Sequence, residues 1–229
     1  MSEAVAAAAR KRGERRKAQT RAALVRAAQQ LLAEGRTSVA VLEITELADV
    51  GMGSFYNHFA TKEELFQAAV ESALELQGVA LDAWTRDLDD PAEVFARSFR
   101  LTGRLHRIEP QLSRVILASG LSMINSDFGL GPRALRDIEK GRATGRFTVR
   151  DAYSALLIAG GAALALGQAI HDHPERDDAD LTDQVAEDLL RMFGVPPDEA
   201  VAICHSPLPD VLDMIHETLP DLPHEQPAG

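Results

Sequence analysis

The stretch that decides the fold is DVGMGSFYNHF, residues 49–59. Two glycines stand one residue apart and are followed by Ser, Phe, Tyr, Asn, His and Phe. These six residues are too polar for a core helix and too aromatic for an ordinary surface loop. The pattern predicts a tight turn followed by a short helix, and Gly51 and Gly53 would permit both the turn and a close approach of the backbone because glycine has no Cβ.

Composition favours an all-α fold. The 229 residues suit one large helical domain or two small ones, and the hydrophobic share of 45% is that of an ordinary globular protein. Aromatic residues are scarce and runs of β-branched residues are rare.

The single cysteine, Cys204, cannot form an internal disulfide, and the N-terminus lacks the order of charges seen in a secretory signal. We therefore expect a cytoplasmic protein.

Charge is distributed unevenly along the chain. The net charge is −11 at pH 7, yet residues 1–36 contain nine Lys or Arg and three acids, while residues from 71 onward contain fourteen basic and twenty-seven acidic residues. One end is therefore suited to phosphate groups and the other is repelled by them. The alternative for the basic run is a solvated tail.

Hydrophobic spacing predicts four helices in the first 80 residues, the middle two very short. The first covers residues 18–34 and ends at Gly35, and the second covers residues 41–48. The third lies in the quoted stretch. The fourth begins at Thr61, where TKEE forms a capping box with Thr61 as N-cap and Glu64 at the third helical position.

Helix geometry gives the third helix two different faces. At about 100° per residue, Ser54, Asn57 and His58 fall within one arc. The two phenylalanines, four residues apart, share a neighbouring arc suited to a small core, and Tyr56 projects at its flank. This arrangement is typical of a helix-turn-helix, whose second helix enters the major groove of DNA.

Lys62 opens the fourth helix, where the helix dipole disfavours a cation. A phosphate at that position would be held by free backbone N–H groups and by Lys62 together. The alternative is a solvated lysine. Beside the helix-turn-helix pattern, the phosphate contact is the stronger interpretation.

Residues 18–75 resemble the TetR family of bacterial transcriptional regulators through RAALVRAAQQLLAEG, ITELADVGMGSFYNHF and TKEELF. The resemblance implies phosphate contacts from Tyr56, His58 and Lys62 and base-edge contacts from Ser54 and Asn57. The family usually has Ser-Lys where this chain has Gly51 and Met52, and a basic arm that enters the minor groove would compensate. The expected DNA-binding residues are Ser54, Tyr56, Asn57, His58, Lys62, Met52, Arg15, Arg16 and Lys17.

The resemblance also implies a two-domain organisation and a function. A head (residues 1–65) would bind DNA, and a body (residues 66–229) would bind an effector and dimerise. The chain would be a one-component regulator, a repressor, that binds a palindromic double-stranded DNA operator as a dimer and is released by a small, mostly apolar effector. The competing hypothesis is a helical enzyme or small-molecule carrier whose N-terminal helices are only structural. The polar face of the third helix favours the regulator.

Further helices are predicted in the body. The segments are residues 91–108, 110–122, 133–142, 148–173, 182–193, 197–204 and 211–218, with a loop at 125–132 and an irregular tail from 206 around the last helix. Residues 152–170 are almost entirely apolar, but seven of the nineteen are Ala and three are Gly. We interpret them as a helix buried on most faces and not as a membrane span. By resemblance, the homodimer forms through the last two long helices, about residues 148–193.

An effector pocket is predicted between residues 95 and 128, where apolar and polar side chains alternate. The alternative is that these residues only pack the core. The candidate ligand-binding residues are Phe95, Phe99, Thr102, His106, Val115, Ser119, Met123 and Phe128.

Catalytic and metal-binding motifs are weak in this sequence. His171 and His173 are two apart and do not share a helix face, and no third ligand stands at a suitable spacing. Cys204 and His205 are adjacent and more typical of a helix end than of a nucleophile with its base. We therefore expect neither an enzyme nor a cofactor.

Overall fold

The computed structural model describes residues 3–120, 124 and 126–218. Within them all regular structure is helical, which confirms the all-α prediction. The helices are α1 (Glu3–Ala33), α2 (Val41–Leu47), α3 (Met52–Tyr56), α4 (Lys62–Trp84), α5 (Pro91–Ile108), α6 (Pro110–Ala118), α7 (Leu130–Ala143), α8 (Ala152–Asp172), α9 (Asp178–Met192), α10 (Pro197–Cys204) and α11 (Val211–Thr218).

Helix α1 is about twice as long as the periodicity predicts. It begins at Glu3 and not near residue 18. The periodic apolar residues mark only the part that is packed, whereas Ala, Arg, Lys and Glu in the preceding segment are strong helix formers that need no partner. The end of α1 agrees with prediction: Gly35 has φ 69°, and Arg36 N donates to Leu31 O at 2.8 Å.

The turn between α2 and α3 differs from the prediction. The residue with positive φ is Asp49 (φ 53°), whereas Gly51 precedes α3 in an extended conformation (φ −70°). Asp is one of the few side chains that tolerate this left-handed region. The prediction that one short helix carries all of residues 54–59 is also wrong, because α3 ends at Tyr56, and Asn57 and His58 lie in the turn that follows.

The capping box of α4 forms as predicted. Thr61 Oγ1 accepts a hydrogen bond from Glu64 N at 3.1 Å, and Glu64 Oε2 accepts one from Ala60 N at 2.8 Å. Helix α4 then continues without a break to Trp84, so the predicted division at residue 65 falls inside it. Its first turns pack on α1, and its later turns contact α6, α7 and α11. One rigid element therefore joins the head to the body.

Helix boundaries in the body follow their caps. Helices α5, α10 and α11 have the predicted bounds. Helix α9 starts four residues earlier than predicted because Asp177 caps it, and α8 starts four residues later because Asp151 accepts a hydrogen bond from Ser154 N at 2.7 Å. Helix α7 starts at Leu130, which shortens the predicted loop, and α6 ends at Ala118. Helix α5 is central and packs on α6, α7, α8, α9 and α10.

Within the single chain, helix α8 is not buried on most faces. The prediction assigns the rest of its burial to a dimer interface. It is long and apolar enough to cross a membrane by length and composition, and 33% of its most apolar window is buried. Tyr153, Leu157 and Ile158 are exposed along one side, near the exposed Met192 at the end of α9. Ile158 and Met192 line the same cleft, so these exposed apolar side chains are grouped and not scattered.

Candidate nucleic-acid interface and ligand cavity

The basic residues of α1 form an exposed, unneutralised surface. Arg10, Lys11, Arg12, Arg15, Arg16 and Lys17 are all exposed, and within the described part of the chain none of them forms an ion pair. These residues lie on the part of α1 that extends beyond the packed head, and the helix keeps their charges in fixed positions. Such a surface attracts a polyanion.

The fold brings this helix beside the residues that follow α3. Burial lowers the pKa of His58 from its ordinary value, and the nearby charges of Lys17 and Arg21 lower it further. The guanidinium of Arg21 lies 5.2 Å from the centre of the Phe59 ring, a cation–π contact that fixes α1 against this turn. Arg21 is a residue that sequence reasoning missed, because nothing local signals its pairing with Phe59.

Helix α3 is anchored by one side chain and presents the others. Phe55 is fully buried, and its ring meets the edge of Tyr56 with centroids 5.1 Å apart. Tyr56 is 58% exposed, and Met52 and Asn57 are also exposed, while Ser54 is half-buried. The predicted base-reading and phosphate-binding side chains therefore reach the surface together.

Gly51 and Gly53 leave open space at the start of α3. A Cβ at either position would meet no atom of the chain within 4 Å, and neither has a positive φ. No internal packing requires these glycines. Open backbone at the start of a recognition helix suits close approach by an external surface.

Lys62 has an internal partner. Its Nζ donates to Val39 O at 3.0 Å and so links the start of α4 to the segment before α2. The ammonium group has three donors, so two remain after this contact. Lys62 is therefore held in place at a helix N-terminus.

A cavity of about 100 Å³ lies in the body between α4, α5, α7 and α8. Its walls are mostly apolar. Small residues of α8 form one wall, and polar groups cluster on the side of α4 and α7. The lining residues include Phe95, Phe99, Ile124, Leu156, Ala159, Gly160, Ser98, Thr102, Asp82, Arg133 and Asp137.

The polar side of the cavity is an ordered ion-pair network. Arg133 Nε donates to Asp82 Oδ2 at 2.6 Å, and Arg133 Nη2 donates to Glu75 Oε1 at 2.8 Å. Arg136 donates to the other oxygen of Asp82 at 2.9 Å and to Asp137 Oδ1 at 2.8 Å. Burial alone would raise the pKa of Asp82, but the hydrogen bonds from the two arginines outweigh it, and the net pKa is lowered. Carboxylates in this state accept hydrogen bonds from a ligand hydroxyl.

Three of the sequence-predicted ligand residues line this cavity: Phe95, Phe99 and Thr102. The charged residues of the cavity, by contrast, were missed, because α4 and α7 contribute them from distant parts of the sequence. One feature of the sequence could have indicated these charged residues. Arg133 and Asp137 are four residues apart in a predicted helix and therefore lie on the same face of it.

The other predicted ligand residues lie elsewhere. His106 is buried and bonded to Ser113, and Val115 lines a surface cleft beside α1. Ser119 donates to Ile116 O at 2.5 Å, and Phe128 is exposed. Met123 lies outside the described residues.

The described residues contain no group of three or more His, Cys, Asp or Glu side chains that is arranged to hold a metal ion. Cys204 is buried, and burial raises the pKa of its thiol to about 12. A thiol in that state is a poor nucleophile.

Two family models match the chain. The model of bacterial regulatory proteins of the tetR family matches residues 24–69, and the model of the tetracyclin repressor-like C-terminal domain matches residues 90–206. Comparison with curated proteins gave no match.

The chain is also similar to solved structures. The crystal structure of RolR in complex with resorcinol is 37% identical, with 86% of this chain and 99% of that chain covered and a TM-score of 0.62. RolR without ligand is 38% identical, with 83% and 98% covered and a TM-score of 0.67. TylP, a TetR regulator from Streptomyces fradiae, is 18% identical, with 88% and 98% covered and a TM-score of 0.63, and it shows the fold alone.

Proposed function

The chain belongs to the TetR family of transcriptional regulators, and we propose that it is a dimeric repressor that leaves a palindromic operator when a small aromatic ligand binds. The observation that carries the DNA-binding part is the convergence of Lys17 and Arg21 on His58, at the edge of the surface that presents Tyr56 and Asn57. A helix with only a structural role would not need an exposed basic surface without ion pairs. A protein that binds operators acts in the cytoplasm of a bacterium.

The roles of the head residues follow from their positions. Tyr56, His58 and Lys62 contact phosphates, together with Arg15, Arg16 and Lys17 of α1. Ser54, Asn57 and Met52 face base edges at the start of the recognition element and just beyond it. Because the N-terminal segment continues α1 as a helix, its arginines lie along the DNA on a rigid helix and not on a loose arm.

We propose a dihydroxybenzene such as resorcinol as the ligand class. RolR is described in complex with resorcinol and is 37% identical to this chain. A cavity of about 150 Å³ holds benzene in another protein. The cavity here, about 100 Å³ with aromatic and aliphatic walls, would have to widen to admit a dihydroxybenzene. The carboxylates of Asp82 and Asp137 would accept hydrogen bonds from the ring hydroxyls. Thr102 would form a hydrogen bond at the opposite edge of the ligand ring.

The dimer forms through the exposed apolar side of α8 together with the end of α9. Leu157 and Ile158 continue the surface on which Met192 also lies. A two-fold pairing of this face buries it and places two heads for two half-sites.

Helix α4 connects the ligand to the DNA. Asp82 lies near its C-terminal end at the cavity, while its first turns pack on α1, where Gln29 Nε2 donates to Ala69 O at 3.1 Å. A ligand that binds one placement of α4 better than another therefore changes the spacing of the heads. Equal affinity for both placements would change nothing.

The test has two steps. DNA retained by the purified protein from a random pool is sequenced and is expected to show an imperfect palindrome, with affinity that falls steeply with salt. Resorcinol is then titrated calorimetrically with and without that DNA, and weaker binding in the presence of DNA is expected because coupling is reciprocal. Equal binding to all DNA sequences would exclude a specific repressor and leave the carrier hypothesis.

A further inference from the structure

Helix α6 lies where the body meets the head. It packs on α1 and α4 on one side and on α5 and α8 on the other. Leu112 and Val115 line a cleft together with Ala23 and Ala27 of α1. A displacement of α6 is therefore transmitted directly to the helix that carries the basic residues.

One buried hydroxyl joins α6 to both of its body neighbours. Ser113 is 3% exposed, and its Oγ lies 2.6 Å from His106 Nδ1 on α5 and 2.7 Å from His171 Nε2 on α8. The hydroxyl has one proton, so it donates to one ring and accepts an N–H from the other. The two imidazoles must therefore hold complementary tautomers.

The histidine rings are also tightly placed. A Cβ on Gly167 of α8 would lie 2.5 Å from His106 Cε1, so the ring occupies space that any larger residue would fill. The centroids of the two rings are 6.4 Å apart. Three helices meet here with little freedom to adjust separately.

Two polar side chains stand between this cluster and the ligand cavity. Thr102 lines the cavity and also borders a void of about 10 Å³ that Gln77, His106 and Ser113 share. Gln77 Nε2 donates to Thr102 Oγ1 at 3.4 Å, whereas Gln77 Oε1 is buried and receives no hydrogen bond from any described residue. A buried acceptor without a donor is unfavourable, and the nearest polar groups across the void belong to His106 and Ser113.

We infer that Ser113 is the positioning residue through which occupation of the cavity reaches the DNA-binding head. A ligand hydroxyl that donates to Thr102 Oγ1, whose own proton goes to Ser98 O, competes with Gln77 for this acceptor and weakens the 3.4 Å contact. The Gln77 amide then turns across the void to the His106–Ser113–His171 cluster, the tautomers rearrange, and α6 shifts against α5 and α8. This inference rests on the proposed function. The opposing view is that the cluster only stabilises the fold.

The test compares Ser113→Ala with Thr182→Val. Both remove a buried hydroxyl, but the Thr182 hydroxyl donates only to Asp178 O, away from the cavity. Resorcinol affinity is measured by calorimetry with and without the selected operator DNA, and the ratio of the two dissociation constants is the coupling. We expect a wild-type ratio of about fivefold or more. Ser113→Ala should bring the ratio at least halfway to one, because the path through α4 remains, and should leave the affinity in the absence of DNA unchanged. Thr182→Val should keep the wild-type ratio.

The outcomes separate the two claims. Wild-type coupling that survives Ser113→Ala overturns the inference alone, whereas a wild-type ratio of one overturns both the regulatory proposal and the inference. If Ser113→Ala does not fold, ¹⁵N spectra of the wild-type histidines decide. The ring nitrogens of His106 and His171 that face Ser113 should differ in protonation and change when resorcinol is added. If the protonation of these ring nitrogens did not change when resorcinol was added, the proposed coupling through Ser113 would be wrong.

Discussion

The guanidinium of Arg133 lies against Gly78 of α4, where a Cβ would come within 2.6 Å of Arg133 Nη1. Because Gly78 has no side chain, an arginine of α7 can reach across α4 to both Glu75 and Asp82, which lie on either side of the glycine. The same arginine lines the cavity. The absence of a side chain at Gly78 thus allows the arrangement of charges beside the cavity.

Gly78→Ala is expected to weaken resorcinol binding at least about tenfold by displacing Arg133 from Asp82. The free energy of unfolding should change little, since alanine gains about 1 kcal/mol of helix propensity and partly exposed ion pairs contribute about 0–1 kcal/mol. Calorimetric titration and urea denaturation measure the two effects. Gly13→Ala is the control, because a Cβ there meets nothing. Unchanged affinity in Gly78→Ala would contradict the proposed site.

His106 should make the protein acid-sensitive. Burial lowers its pKa in the folded state to about 4, with a further contribution from His171, whereas the unfolded chain titrates near 6.5. Between these values the unfolded state binds more protons, so stability falls as the pH drops from about 6.5 to 4, by up to about 3 kcal/mol.

Urea denaturation at a series of pH values tests this expectation. His106→Asn, which can still hydrogen-bond Ser113, should flatten the dependence over that range, and the exposed-site variant His205→Gln should keep it. A steep dependence that persists in His106→Asn would assign the effect to other groups.

Deleting residues 1–15 should reduce the salt dependence of DNA binding without unfolding the protein. The deletion removes Arg10, Lys11, Arg12 and Arg15, all exposed on α1. The log–log slope should become shallower by at most about 4 units, since each phosphate contact contributes about 0.9. Fluorescence anisotropy across a salt series gives the slope, and sedimentation checks the assembly. A slope equal to that of the full chain would leave the segment as a solvated helix.

Tyr56→Phe and Asn57→Ala should have different effects on DNA recognition. Loss of a phosphate contact weakens binding evenly across sequences, whereas loss of a base contact relaxes preference at one or two positions by about 1–3 kcal/mol. Selection from a random DNA pool with each variant makes the distinction. If both variants altered the preferred sequence in the same way, the roles assigned to these side chains would be wrong.

Ile158→Glu should convert the proposed dimer to a monomer. Ile158 is 52% exposed in the single chain, and a charge there would be buried without a partner in the proposed interface. Leu212→Glu on α11 is a matched control at 52% exposure. Sedimentation equilibrium measures the mass, and operator affinity should fall with dimerisation. A dimeric Ile158→Glu protein would exclude this face of α8.

The sequence by itself determined the helical class, the helix-turn-helix and several boundaries. The capping box at Thr61 and Glu64 and the proline that opens α5 are local signals, because a cap is built from residues within one turn of each other. The periodicity of residues 18–34 located the packed half of α1. It did not predict the preceding turns, which are helical by propensity and in which residues 10–17 are all exposed.

Only the tertiary structure decided which residues meet. Arg133 and Asp82 are 51 residues apart, and Ser113 joins α6 to two helices whose histidines have no common pattern in the chain. Arg21 reaches Phe59 across the head in the same way. Helix periodicity reports which face of a helix is buried but not which helix covers it. The cavity, the charge network and the histidine cluster therefore became visible only once the helices were packed.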